Sequence, residues 1–449
     1  MSDGRNRPRR VVIMGAAGRD FHDFNTVFRE DETYEVVAFT HTEGQNVGEL
    51  DEMPERHYPP ELAGELYPDG VPIRPESELE EIVKEEEVDV VVFSYSDVSH
   101  EGVMHRASRA LSRGAEFRIV GPNEMMLEAE VPVVAVDAVR TGCGKSQTAR
   151  KLADELKERD AEVVVVREPM PYGDLVEARV QRFASMEDID EADATIEERE
   201  EYEGHVERGH VVYAGVDYAD VLERAQDEGD VIVWDGGNNE LPFFVPDLHF
   251  VLTDPHRAGD ELRYHPGETN LRIADYVIIN KENTAEAGSI REVEENVRSV
   301  NPDARIVHAD SVVTADGDVS GKRVLVVEDG PTLTHGGASY GAGLIAAREQ
   351  GAEIIDPRPS AVGSLARVFE NYPHLEDVLP AMGYSDEQVR ELEETVRNAD
   401  AEAVVSGTPH DLSRVIDMDI PVVRVRYELE EKNVTLGEIL DENADVLGL

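Results

Sequence analysis

Short runs of aliphatic and β-branched residues recur along the chain, separated by stretches in which apolar positions return every three or four residues among charged ones. The runs are too continuous for strands with one wet face. They predict strands buried on both faces of a parallel sheet, with the periodic stretches as covering helices. Four runs come first: VVIM from Val11, EVVAF from Glu35, VDVVVF from Val88 and FRIV from Phe117. Gly121-Pro122-Asn123 interrupts the pattern, and a second series opens with VPVVAV at Val131. It continues with runs beginning at Ala161, Asp230, Leu248, Asp275, Arg305, Arg323, Ala352, Glu402 and Pro421. With no repeat of fixed period, the expected organisation is an N-terminal domain over residues 1–128 and a larger α/β domain over 129–449. An Asp/Glu-rich stretch near 186–203 reads as a solvated helical insertion.

The strongest chemical signal follows the run at Val131. There VDAVRTGCGKSQTARKLADEL joins an apolar strand to a glycine turn, Gly144-Lys145-Ser146 and an Ala/Leu-rich helix. Strand, glycine turn and helix N-terminus together make a phosphate loop. Backbone N–H groups surround phosphate oxygens, Lys145 neutralises the β- and γ-phosphates, and the Ser146 hydroxyl holds Mg²⁺. Thr141, Gly142, Cys143, Gly144, Lys145, Ser146 and Gln147 are therefore the expected nucleotide-binding residues, with Cys143 simply a small residue in a tight loop. Val139 stands where the usual pattern has its first glycine, which fits a variant loop in which Arg140 supplies a second catalytic cation, in its own site or a partner's.

Further signals are arranged around this one. DVIVWDGGNN puts Asp235 at the tip of a buried strand, about 90 residues after the loop, where it suits a catalytic role and a metal contact. In DYVIINKEN, Asn280 and Lys281 are expected beside the base. The fourth position of this N-K-x-D-like pattern is Asn283, with a single acceptor oxygen, which favours ATP over GTP. Arg and His residues also gather among Gly and Pro: Arg167, Tyr172, Arg179 and Arg182; His256, Arg257 and Arg263; His335; and Arg358. With Arg19 and His22 of the first turn, MGAAGRDFHDFN, they are expected to wall a pocket for a small, highly anionic substrate. The loops SYSDVSHE from Ser94 and GPNEMM from Gly121 should reach the same carboxyl edge of the sheet.

Composition changes the picture in three ways. The chain carries 97 acidic residues against 43 basic ones, a formal charge of −54, which excludes a protein that coats nucleic acid. The basic residues are 36 Arg and only 7 Lys, a depletion that suggests a halophilic protein in concentrated KCl, with K⁺ as the solvent or activating ion. One cysteine allows no intramolecular disulfide, and no run approaches the ~20 apolar residues of a membrane helix, so a reducing cytoplasm is the expected setting.

The motifs GAAGRDFHDFN, SYSDVSHE, AVRTGCGKSQT, EPMPYGDL, WDGGNN, YHPGETN, EDGPTLTHGG and DPRP closely resemble the archaeal cyclic 2,3-diphosphoglycerate synthetases, over nearly the whole chain. That resemblance implies a Rossmann-like N-terminal parallel-sheet domain followed by a larger P-loop NTPase α/β domain, similar to dethiobiotin synthetase and nitrogenase iron protein. It also implies a cytoplasmic homodimer that uses ATP and Mg²⁺ to close 2,3-diphosphoglycerate into its cyclic phosphoanhydride. A nucleotide-switched regulatory NTPase and a ligase acting on another phosphorylated acid remain open alternatives.

Overall fold

The structure is a computed structural model, and it describes residues 7–42, 56–168, 173–192, 194–237, 239–330, 333, 339–381, 386–408 and 410–449. Both series of apolar runs fold as strands. The first gives β1 (Arg9–Met14), β2 (Tyr34–His41), β5 (Val90–Phe93) and β7 (Glu116–Arg118), and between them lie three strands that no run predicted, β3 (His57–Tyr58), β4 (Val71–Pro75) and β6 (Val98–Ser99). Their sheet runs β3-β4-β2-β1-β5-β7 and is parallel except for the β3–β4 edge.

The second series opens with β8 (Val133–Ala138), β9 (Val163–Arg167), β12 (Val231–Asp235) and β13 (Leu248–Thr253), with β10 (Val180–Phe183) and β11 (Val211–Gly215) between them where no run was predicted. Then come β14 (Tyr264–His265), β15 (Tyr276–Ile279), β16 (Arg305–Ala315), β17 (Arg323–Asp329), β18 (Glu353–Ile354), β19 (Leu379–Ala381), β20 (Ala403–Gly407) and β21 (Val422–Glu431). All but β14 join one thirteen-stranded sheet, β10-β11-β9-β12-β8-β13-β15-β16-β21-β20-β17-β18, with β19 also on β17. Only β10–β11 and β16–β21 are antiparallel pairs. The central strands β8, β9, β12 and β13 are buried along their whole length, as helices on both faces require. The α/β class, with a Rossmann-like first sheet and a P-loop NTPase sheet after it, is thus borne out.

Two seams join the sheets. β14 pairs antiparallel with β6, Tyr264 opposite Ser99 and His265 opposite Val98. One apolar cluster also runs from Phe21, Phe24 and Tyr58 through to Tyr218, Trp234 and Phe243. Its ring contacts carry it across the boundary: His22 stacks on Phe243 at 3.9 Å, and Phe243 lies 4.9 Å from Trp234. The carboxyl edges of β1 and β5 are thereby turned toward those of β9 and β12, and the site lies between them.

The acidic stretch departs from its expected role. It forms two helices, Met186–Glu191 and Ile196–Val206, each opened by a capping box, at Ser185/Asp188 and Thr195/Glu198. The stretch is not purely solvated. Tyr202 stacks on Phe183 at 4.4 Å, and Tyr202, Glu203 and the following His205 are buried. The acidic residues mask an inward stripe that tethers the insertion to the strand tips.

Candidate active site

The loop after β8 is shaped by its glycines. Gly142 and Gly144 have φ of 82° and 106°, values open to glycine at low cost, and a Cβ on Gly144 would collide with Asn280. The helix Lys145–Lys157 starts directly after this turn, and no side chain caps its first amides. Uncapped amides on a left-handed glycine turn are what a phosphate group requires.

Lys145 is buried and donates to Asp235 Oδ1 at 2.7 Å and to the Gly236 carbonyl. Asp235, fully buried at the tip of β12, also meets Arg167 Nη1 at 2.6 Å and His205 Nε2 at 3.0 Å. Burial alone would raise its pKa, but the Arg167 and Lys145 cations and the His205 hydrogen bond hold the carboxyl well below the usual range. Asp235 is therefore an anion that keeps the Lys145 ammonium at the loop. Cys143 is buried, and burial pushes its thiol up to about 11, consistent with a packing role.

Other expected nucleotide residues brace the loop from behind. Asn280 Nδ2 donates to the Cys143 carbonyl at 2.8 Å, and Lys281 Nζ donates to the Gly142 carbonyl at 2.5 Å and to Asp254 at 2.9 Å. Gln147 lies near Ser311 Oγ at 3.4 Å. Asn283 exchanges hydrogen bonds with the Ser311 backbone at 3.0 and 3.2 Å, so its amide is spent on β16. For Mg²⁺ the fit is of the sparse kind. Among the described residues no cluster of three or more ligating side chains occurs; Ser146 is the second residue of the helix after the loop, and Asp235 ends β12.

Arg140 does not point into the loop. Its guanidinium lies 3.6 Å over the Tyr264 ring, donates to Asp97, and contacts Asp260 at 2.5 Å. Asp97 also accepts from the Thr141 N–H and hydroxyl at 3.1 and 2.8 Å. The loop from Ser94 thus reaches the phosphate loop, as expected, but it engages Arg140 as a brace.

Several residues expected to wall an anionic pocket are occupied elsewhere. Arg179 pairs with Asp220 at 2.5 Å, Arg182 with Glu228 and Arg358 with Asp356 at 2.8 Å, all at exposed positions. His256 meets Thr284 at 2.8 Å, and Arg263 is exposed. His22 is a core residue: it bonds the Met125 carbonyl at 2.7 Å, and burial lowers its pKa to about 3. Arg167, Arg257 and Arg19 are the three near the site. Arg257 donates to the Thr141 carbonyl at 2.8 Å, and buried Arg19 donates to the Val120 carbonyl at 3.1 Å. Tyr172 and His335 lie outside the described residues.

What the motifs did not single out is a group of buried acids at the junction of the two sheets, of which Glu240 feels the Lys145 charge. Asp20 accepts from the amides of Ala17, Gly18 and Phe21 at 2.8, 3.1 and 2.8 Å, filling the position a nucleotide phosphate takes in a Rossmann first turn. Asp23 accepts from Ser94 Oγ at 2.7 Å, and Glu240 from Ser96 Oγ at 2.8 Å. Glu168, just past β9, completes the group. Burial raises Asp20 to about 7 and Asp23 to about 6, and burial followed by the facing Glu240 carboxyl raises Glu168 well above its ordinary value. In a chain so rich in acids these four carried no sequence signal, since only burial distinguishes them.

Strand, left-handed glycine turn, helix N-terminus, buried lysine and strand-tip aspartate together define a P-loop NTPase-type α/β protein. No family model matches the chain. It is 58% identical over 440 residues to arginine synthetase ArcE of Thermococcus kodakarensis, covering 97% of both chains, and it belongs to that synthetase family. The family recognised from the motifs is thereby shown, although this member's name is that of an arginine synthetase. Among solved structures, LpxK from Aquifex aeolicus in complex with ATP is 13% identical, with a TM-score of 0.39 over 72% of this chain and 89% of that one. The hydrogenase maturation factor HypB from Archaeoglobus fulgidus is 16% identical, with a TM-score of 0.27 over 40% and 81%.

Proposed function

We propose that this chain is an ATP-dependent synthetase that completes the guanidinium group of arginine. The observation that carries this reading is the charge buried where the two sheets meet, next to the phosphate loop. Asp20, Asp23, Glu168 and Glu240 gather there, whereas Arg179, Arg182 and Arg358 are held in ion pairs on the surface. Such a junction suits a cationic nitrogen group better than a diphosphate.

A guanidinium carbon carries three nitrogens, so building it from a ureido amino acid requires loss of the carbonyl oxygen. Phosphoryl transfer to that oxygen makes it a leaving group, and a nitrogen nucleophile then displaces phosphate. Lys145 would exchange its contact with Asp235 for the β- and γ-phosphates, and the glycine turn would hold them against the helix amides. Mg²⁺, held by Ser146 and Asp235, would neutralise phosphate charge. Arg167 stays beside Asp235 and keeps it ionised when Lys145 moves. The mutual enclosure of the two sheets excludes water, so that ATP is not simply hydrolysed.

A second reading, closure of 2,3-diphosphoglycerate into its cyclic phosphoanhydride, is favoured by the motif resemblance and by the convergence of Arg167, Arg257, Lys145 and Lys281 at the loop. One experiment separates the two. With Mg²⁺ and ATP, ADP release should require a ureido amino acid and ammonium together, with arginine formed in equal amount. ADP release driven by 2,3-diphosphoglycerate, with a cyclic phosphoanhydride seen by phosphorus NMR, would replace the first reading with the second.

A further inference from the structure

Glu168 follows β9 and Glu240 follows the neighbouring strand β12, and the two face each other in a space with almost no solvent exposure. Glu240 uses Oε1 to accept from Ser96, and among the described residues no other group donates to Glu240 Oε2 or Glu168 Oε2, so the two carboxyls are left to each other. The neighbouring Arg19, 2% exposed, likewise leaves its Nε without a hydrogen-bond partner among the described residues. Unmet acceptors in a buried site are costly, and two facing carboxyls there either share a proton or, when both ionise, hold a cation between them.

Two glycines fix the arrangement. A Cβ on Gly18 would collide with Glu168 Oε1, and one on Gly237 would collide with the Glu168 carbonyl and stand 3.2 Å from Oε2. The Glu168 carboxyl is therefore seated between the first turn of one sheet and the β12 tip of the other. That tip also carries Asp235 and Gly236, the two partners of Lys145. The Lys145 charge is felt at Glu240, so the pair sits beside the phosphate end of the loop.

We propose that Glu168 and Glu240 form the subsite for the cationic nitrogen group of the reaction, ammonium entering or guanidinium leaving, and that Glu168 takes the proton ammonium must lose before attack. The chemistry rests on the arginine-forming reading, whereas the ligand class rests on the carboxylate geometry alone. Glu168 is the acceptor because no hydrogen-bond donor reaches its free oxygen, whereas Ser96 and the Lys145 charge serve Glu240. One ammonium proton passes to Glu168. The freed lone pair forms the C–N bond, and the C–O bond breaks with its electron pair leaving on phosphate. Phosphate takes a second proton from the nitrogen, and the guanidinium remains between the carboxylates.

Trp234, the only tryptophan in the chain, is buried next to Asp235 and gives an optical probe on the full-length protein. L-Arginine and ammonium chloride, titrated in the presence of ADP and Mg²⁺, should each change its emission saturably, and L-methionine should not. Glu168→Gln and Glu240→Gln should weaken L-arginine binding about 30-fold. Glu168→Gln should also lower kcat about 100-fold with the KM for ATP unchanged, and Glu168→Asp should recover part of it. Both Gln variants should melt no lower than the parent, because neutralising one of two facing buried acids relieves their repulsion. The subsite is overturned if no cationic probe binds the parent, or if the Gln variants bind arginine as the parent does. If the probes bind as expected and no arginine is ever formed, the reaction assigned above falls while the subsite stands.

Discussion

At the scale of single residues, the site is governed by which charges are forced to share buried space. Lys145 and Arg167 both reach Asp235, and His205 adds a hydrogen bond from the acidic insertion. Lys145→Ala should abolish ADP release, a loss of about 1,000-fold or more, while Arg167 continues to balance Asp235 and the fold persists; far-UV circular dichroism alongside the turnover assay checks both halves. Gly144→Ala should raise the KM for ATP sharply, because the residue has φ 106° and its new Cβ would drive into Asn280, which braces the Cys143 carbonyl. How much of this was legible in the sequence depended on contiguity. Lys145, Gly144 and Asp235 stood out because their chemistry is written in short segments next to apolar runs. Glu168 and Glu240 did not, because an acid's function in this chain is set by the absence of water around it.

At the scale of elements, most strands and their order of appearance followed from the apolar runs, but β4, β10 and β11 and the shortest elements did not, β11 although it lies inside the sheet between β10 and β9. β3, β6, β14 and β19 have two or three residues each, too few to make a period. β6 and β14 nevertheless join the sheets, and the loop between β5 and β6 supplies Ser94, Ser96 and Asp97 to the site. The insertion helix shows the converse error, in which a dominant acidic face hides a buried stripe. Tyr202→Ala should therefore destabilise by about 3–5 kcal/mol, and Tyr202→Phe should cost nothing because the buried hydroxyl has no partner among the described residues; urea midpoints check the pair.

Another element gives a pH prediction. Glu328, at the tip of β17, is buried and accepts from the amides of Gly341 and Leu344 at 3.1 and 2.8 Å, at the start of the helix Ala342–Glu349. Burial raises it to about 7 from 4.5 despite those bonds. The folded state then holds a proton the unfolded chain has lost, so this contribution is complete below pH 4.5 and disappears as pH rises through about 7. Glu328→Gln should shrink the stability difference between pH 5 and pH 8 by about 3 kcal/mol, measured by urea titration at the two pH values.

At the scale of the whole molecule, the charge of −54 is a long-range repulsion that salt can screen. Raising KCl from about 0.1 to 1 M shortens the Debye length from roughly 10 to 3 Å, so the melting temperature should climb with KCl and climb equally with NaCl if screening alone acts. An excess effect of K⁺ over Na⁺ would instead reveal a specific ion site. The docking of the sheets is the other property of this scale. Arg29 reaches Asp217 at 2.7 Å and Asn25 donates to the Val216 carbonyl at 3.3 Å, so the first sheet contacts the second well away from the phosphate loop.

The sequence by itself determined the α/β class, the two series of strands, the phosphate loop and the aspartate that serves it, because apolar periodicity and glycine turns are local properties of the chain. It also carried the family resemblance through its long motifs. Only the tertiary structure decided the charge of the second subsite. Every Arg and His picked out by its neighbours in sequence had to compete for 97 carboxylates, and Arg179, Arg182 and Arg358 met one on the surface. Which acids were left buried and facing one another depended on how β9 and β12 dock against the first turn of the other sheet. Desolvation is a property of that packing and has no signature in the order of residues.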